Sequence, residues 1–232
     1  MVASLKWRDV LTAGCLSATA GFVDVVGYLR LGGYFVSFMS GNTTRASAEL
    51  VHGSVRGMVL ALGLVGFFVL GVVLSTLTTR RLASRRRVVL GSAGILVAAA
   101  ALAPTVGAEP AVPPLLAMAM GVVNTSYTAN GEVSIGLTYM TGTLVKIGQN
   151  FAAAVTGDHH HQRWMKYFVL WAMISLGALV GGLAYQLAGL ASLWIAAVSL
   201  WIAATLTRHR HPTGLIESMD IQMPHARPGR TS

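Results

Sequence analysis

The chain has 232 residues, 54% hydrophobic and 11% charged, with a mean hydropathy of +0.63; a soluble domain carries about a quarter charged residues, so an ordinary water-soluble fold is excluded. Its formal net charge of +9 would suggest nucleic-acid binding in a soluble protein, but the basic residues stand at the ends of apolar runs, where the positive-inside bias accounts for them. The single cysteine, Cys15, excludes a disulfide framework and a thiolate metal site.

Residues 10–29 form the first apolar run, close to the ~20 residues that cross about 30 Å of hydrocarbon. Within it, Leu11-Thr-Ala-Gly-Cys15 is similar to a lipoprotein cleavage box and Ala18-Thr19-Ala20 to a signal-peptidase site. Only six residues separate Arg8 from Cys15, too few for an export signal's apolar region, so this helix is expected to be retained. Asp24 falls about midway along it. After the breaker Gly32-Gly33 comes a segment, 34–50, rich in Ser, Thr and Gly and holding Arg45. A second apolar run, 57–78, leads to Arg80, Arg81, Arg85, Arg86 and Arg87, a cluster expected on the cytoplasmic side, where it would also meet anionic lipid.

Apolar runs follow at 88–106 and 112–129, separated by the proline-rich link 108–114. Residues 134–155 form a second polar segment, with Lys146 as its cation. Gly157-Asp-His-His-His161 reads as a solvated loop, because three adjacent histidines cannot all face one metal ion. The last runs are 167–187, with a small-residue face at Gly177-Ala-Leu-Val-Gly181, and 192–206. Residues 208–232 lack periodicity and read as a disordered basic tail. The whole is expected to be one membrane domain, residues 1–207.

The chain repeats itself. Ser37-Phe-Met-Ser-Gly-Asn42 matches Thr138-Tyr-Met-Thr-Gly-Thr143 at an offset of 101, with Arg45 aligned to Lys146. Gly21-Phe-Val-Asp24 matches Gly121-Val-Val-Asn124 at an offset of 100. If the four basic clusters near Lys6/Arg8, Arg80–Arg87, Arg163/Lys166 and Arg208/Arg210 all face the cytoplasm, the polar segments cannot both cross fully. The pattern then predicts an all-α integral membrane protein of about six transmembrane helices in two inverted three-helix repeats, about 9–106 and 110–207, each with a broken or re-entrant polar segment. Eight full spans in a parallel repeat are the alternative. Both termini are expected in the cytoplasm, the protein lying in the inner or plasma membrane.

Inverted repeats with broken helices recur in transporters and channels, where unwound backbone lines a polar pathway. Asn42 and Thr143 are residue types that cap helix N-termini. Half-helices starting there would turn positive dipole ends toward the bilayer midplane, with Arg45 and Lys146 in the next turn. The expected pathway residues are Asp24, Ser40, Gly41, Asn42, Arg45, Asn124, Thr141, Gly142, Thr143 and Lys146, and the expected solute is small and anionic or zwitterionic. Asp24 is expected to face Arg45, as a fixed ion pair or as a proton-coupling carboxylate. Glu49, four residues after Arg45, is expected to pair with it locally.

The competing reading is that both motifs only permit close helix crossing, in a structural or partner-binding membrane protein. No nucleophile elbow, phosphate loop or HExxH motif is present, so no enzymatic activity, cofactor or metal is expected. The expected partners are the bilayer and a polar solute, not nucleic acid, with a homo-oligomer compatible.

The residues Gly21-Phe-Val-Asp24, Tyr34-Phe-Val-Ser-Phe-Met-Ser-Gly-Asn-Thr-Thr44 and Met140-Thr-Gly-Thr143 carry a resemblance. Over about 10–206 the chain resembles the YoaK-like family of uncharacterised bacterial multi-span membrane proteins. That resemblance implies class and location but neither a substrate nor any functional residue.

Overall fold

The computed structural model describes residues 7–80, 82, 84–129, 132–133, 137–156 and 163–206. The expected basic tail, the His159–His161 loop, Arg81 and the start of the second polar segment at 134–136 lie outside the described residues. The helices are α1 (Trp7–Arg30), α2 (Met39–Val51), α3 (Val55–Thr79), α4 (Arg85–Leu102), α5 (Val112–Asn124), α6 (Met140–Val155), α7 (Arg163–Ala188) and α8 (Leu193–Leu206). A two-residue antiparallel pair, β1 (Thr128–Ala129) with β2 (Glu132–Val133), follows α5.

Helix ends follow local chemistry. Asp9 lies in the first turn of α1 and Arg30 in its last, each complementing the helix dipole. Gly32 and Gly33, at φ +64° and +98°, take the left-handed conformation that lets the chain leave α1. Ser54 caps α3 by accepting the Gly57 N–H at 3.2 Å. Pro104 and Pro110 open the short 3-10 turns Ala103–Val106 and Glu109–Ala111 that carry the chain from α4 to α5.

Among the described residues, four stretches are long and apolar enough to cross a membrane by length and composition: Trp7–Arg30, Val55–Thr79, Arg85–Val106 and Arg163–Leu206. The last is two helices. It turns back through Gly189–Ser192, because Gly177 of α7 and Ser199 of α8 both meet α1 at the same level, beside Ala18 and Thr19. The apolar run 112–129 is a shorter helix than its sequence suggests. α5 ends at Asn124, and its 13 residues span only about 20 Å.

The bundle is built on α1 against α7, α3 against α5, and α4 against α8, with α2 lying on α3 and α6 on α7. Two of these crossings are backbone-close and use glycine in the same way. Gly21 of α1 faces the Ile174 carbonyl of α7, and Gly177 of α7 faces the Ala18 carbonyl of α1. In the other crossing Gly121 of α5 faces the Phe68 carbonyl of α3, and Gly71 of α3 faces the Met118 carbonyl of α5. At all four positions a Cβ would approach the opposing backbone closer than 3.0 Å, so no larger residue fits without displacing a helix.

Contacts at the two ends set the helix directions. Trp7 of α1 lies 5.9 Å from the Lys166 ammonium at the start of α7, and Arg86 at the start of α4 holds Tyr127 just past the end of α5. At the far end Arg30, closing α1, pairs with Glu109, which precedes α5. Helix α5 therefore starts at the end of the bundle where α1 finishes, and the two run in opposite directions.

Candidate functional site

In each polar segment the described residues before the helix, 34–38 and 137–139, are non-helical, and a helix of under 20 residues follows. The first begins at the turn through Gly32 and Gly33, passes back alongside α1 as residues 34–38, and becomes helical at Met39. Asp24 holds it there. Its Oδ1 accepts the backbone N–H groups of Val36 at 2.9 Å and Ser37 at 2.7 Å. Asp24 lies six residues before the end of α1, so this junction sits about 9 Å inside the helix terminus. A carboxylate accepting two N–H groups is well satisfied without a cation.

Asn42 closes the same junction. Its Oδ1 accepts the Phe35 N–H at 2.9 Å and its Nδ2 donates to the Phe35 carbonyl at 2.6 Å. Asn42 is fully buried. The expected half-helix is therefore present but begins at Met39, not at Asn42, and Asn42 reaches back from inside the first turn. Phe38, the residue at the N-cap position, offers no side-chain cap.

The pairing of Arg45 with Asp24 expected from the sequence is not made. Arg45 Nη1 donates to the Gly33 carbonyl at 2.5 Å and its Nη2 to the Gly32 carbonyl at 3.1 Å, while the guanidinium lies 4.0 Å over the Tyr34 ring. Its Nε is 3.4 Å from Glu49 Oε1, the local pair predicted by their spacing. This side chain sits at the level where α1 ends, away from the α2 start. The Tyr34 hydroxyl donates to Glu49 at 2.9 Å. That hydrogen bond first, with Ser54 and Arg45 adding to it, holds the Glu49 carboxyl below its usual range.

The second half builds a similar junction with fewer bonds. Asn124, aligned with Asp24, accepts from the Thr138 hydroxyl at 3.1 Å, and Thr138 is aligned with Ser37. Its Nδ2 returns to the Met120 carbonyl at 2.9 Å. Helix α6 begins at Met140, so Thr143 too is inside the first turn, and its hydroxyl bonds the Tyr139 carbonyl at 3.0 Å. Lys146 is exposed, its ammonium 5.6 Å from the Tyr167 ring. Ser40 and Thr141 are exposed, while Gly41 and Gly142 pack beside Phe38 and Tyr139. The ten expected residues thus divide between the halves: Asp24 and Asn42 make the first junction, Asn124 makes the second with Thr138, and Ser40, Thr141 and Lys146 are exposed.

A cavity of about 420 Å³ lies elsewhere, at the end of the bundle where α1 finishes. Its polar wall is Arg30, Thr105, Glu109 and Tyr185, with Leu190 among its apolar neighbours. None of the ten expected residues lines it. Its wall comes from segments far apart in sequence, so no local motif announces it. Phe35 and Val36, whose backbone groups the junction uses, were equally invisible as chemistry-bearing residues.

Residues 12–206 match the family described as "Protein of unknown function (DUF1275)". The UPF0700 transmembrane protein RA0705 of Rhizobium meliloti (strain 1021) is 36% identical over 184 residues, covering 78% of this chain and 77% of that protein. No solved structure matches the chain. With the sequence resemblance, the apolar helices and these matches in agreement, the chain is a transmembrane protein belonging to the DUF1275 family.

Proposed function

We propose that this protein carries a small anionic or zwitterionic solute across the bacterial inner membrane, as a transporter or channel built on two inverted three-helix repeats. The observation that carries the reading is the junction made twice. Non-helical residues tethered to Asp24 at Val36 and Ser37, or to Asn124 at Thr138, give way to a helix start at Met39 or Met140, beside helices α1 and α5 that run oppositely. The reciprocal glycine crossings α1/α7 and α3/α5, matched at offsets of 100 for Gly21 and Gly121 and 106 for Gly71 and Gly177, support the repeat. Helix N-termini entering from opposite faces favour negative charge between them. In this orientation both chain termini and the Arg80–Arg87 cluster are cytoplasmic. The reading involves no enzymatic step, no cofactor and no nucleic acid.

Flux into proteoliposomes tests it, with a panel of small carboxylates, inorganic anions and amino acids. The expected result is a saturable, protein-dependent flux of at least one solute that Lys146→Gln lowers about tenfold. No protein-dependent flux across the panel contradicts transport. Proton coupling through Asp24 is a finer part of the proposal: Asp24→Asn should abolish pH-driven uptake in protein that still inserts, and unchanged coupling removes Asp24 from that role.

A second reading has its own support. Asp24, Asn42, Arg45 and Thr143 all spend their polar atoms on nearby backbone, as devices that fix helix geometry do. In that case the protein is a structural or partner-binding membrane protein, and both junctions are dry.

A further inference from the structure

Three arginines, Arg85, Arg86 and Arg87, occupy the first turn of α4 with no acidic residue among them, and Ser84 at the N-cap makes no side-chain capping bond. Cations at the positive end of a helix dipole are the reverse of the favourable arrangement. An independent observation lies beside them. Nε of Arg85, Nε of Arg86 and Oγ of Ser126 are all buried without a hydrogen-bond partner, and Ser126 is only 8% exposed. Buried polar groups are normally satisfied, so these orphans call for an explanation.

Tyr127 joins the two segments that carry these groups. Arg86 Nη2 donates to its hydroxyl, and the guanidinium lies 4.0 Å over its ring. That contact clamps the end of α5, with Ser126 next to Tyr127, against the first turn of α4. We propose that this corner, formed by the α4 N-terminus, Arg85, Arg86 and Ser126, binds the phosphate group of an anionic ligand. Phosphate suits the donors: the guanidinium fork pairs with two of its oxygens, while helix N–H groups and a hydroxyl take the rest. The group can come from an anionic phospholipid headgroup or from free phosphate. Neither source depends on the transport reading.

The thermal unfolding midpoint of the full chain in a neutral detergent tests this. Titrations use short-chain phosphatidylglycerol, short-chain phosphatidylcholine and inorganic phosphate at constant ionic strength. The expected result is a saturable rise with phosphatidylglycerol or phosphate that phosphatidylcholine does not reproduce. Arg86→Gln should weaken the apparent affinity about tenfold or more, and Ser126→Ala roughly threefold to tenfold. Should Arg86→Gln fail to fold, Arg85→Gln and Ser126→Ala carry the same test. Saturation by the lipid alone identifies a headgroup site, and saturation by phosphate alone or more tightly identifies the free ion. No saturable rise with either, an equal rise with phosphatidylcholine, or unchanged affinity in the folded variants overturns the proposal.

Discussion

Gly177 of α7 stands directly against the Ala18 carbonyl of α1, so close that a Cβ on Gly177 would meet backbone. Gly71 of α3 stands in the same relation to Met118 of α5. Gly177→Ala and Gly71→Ala should each lower stability by ~1–3 kcal/mol, because two packed helices must separate to admit the methyl group. Gly63→Ala, in the same helix as Gly71 but with nothing within 4 Å of the added Cβ, should be neutral or stabilising by up to ~1 kcal/mol. Unfolding midpoints in detergent check all three, and equal effects at Gly63 and Gly71 would refute the close-crossing account.

Asp24 acts in the fold as an acceptor for two backbone N–H groups. Asp24→Asn retains the accepting oxygen, as Asn124 does in the second half, and should fold within ~1 kcal/mol of the parent. Asp24→Leu leaves both N–H groups unpaired and should lose ~2–4 kcal/mol. Comparing these two variants by thermal unfolding separates the tether from the charge.

Asn42→Ala removes both bonds to Phe35 at a fully buried position. The expected loss is ~1–4 kcal/mol, since two backbone groups are orphaned at once. Asn42→Asp keeps the acceptor but turns a charged oxygen toward the buried Phe35 carbonyl, so it should be no more stable than the alanine variant.

Acid should weaken the Tyr34–Glu49–Arg45 cluster. The Glu49 carboxyl lies below its ordinary value of 4.5 when folded, so the stability that it contributes is present above that pH. It is lost as pH falls through the folded value. Glu49→Gln should therefore flatten part of the acid limb of the stability profile, and Tyr34→Phe should shrink the same part. Profiles that superimpose on the parent would show that the Tyr34 contact does not hold the carboxylate.

Most helices were legible in the sequence because they rest on composition and spacing: apolar runs mark α1, α3, α4 and α7. The start of α2 was misplaced for a definite reason. Asn beside Gly reads as an N-cap, but Asn42 uses its side chain to clamp Phe35, seven residues back, a side-chain-to-backbone pairing that leaves no pattern in sequence. Asp24 was assigned to Arg45 by the same logic of charge seeking charge, whereas backbone N–H groups of Val36 and Ser37 satisfy it. The run 112–129 was read too long because Thr125 and Tyr127 interrupt it with hydrogen bonding to neighbouring helices, not with Gly or Pro.

Two-sided thiol labelling tests the central claim of a wetted pathway between opposed repeats most directly. Ser40→Cys and Thr141→Cys, each in a Cys15→Ala background, would be treated with a membrane-impermeant reagent in intact cells and in inverted vesicles. The account predicts that both positions label and that they do so from opposite faces. Failure of both to label in folded protein would contradict it, leaving the two junctions as packing devices.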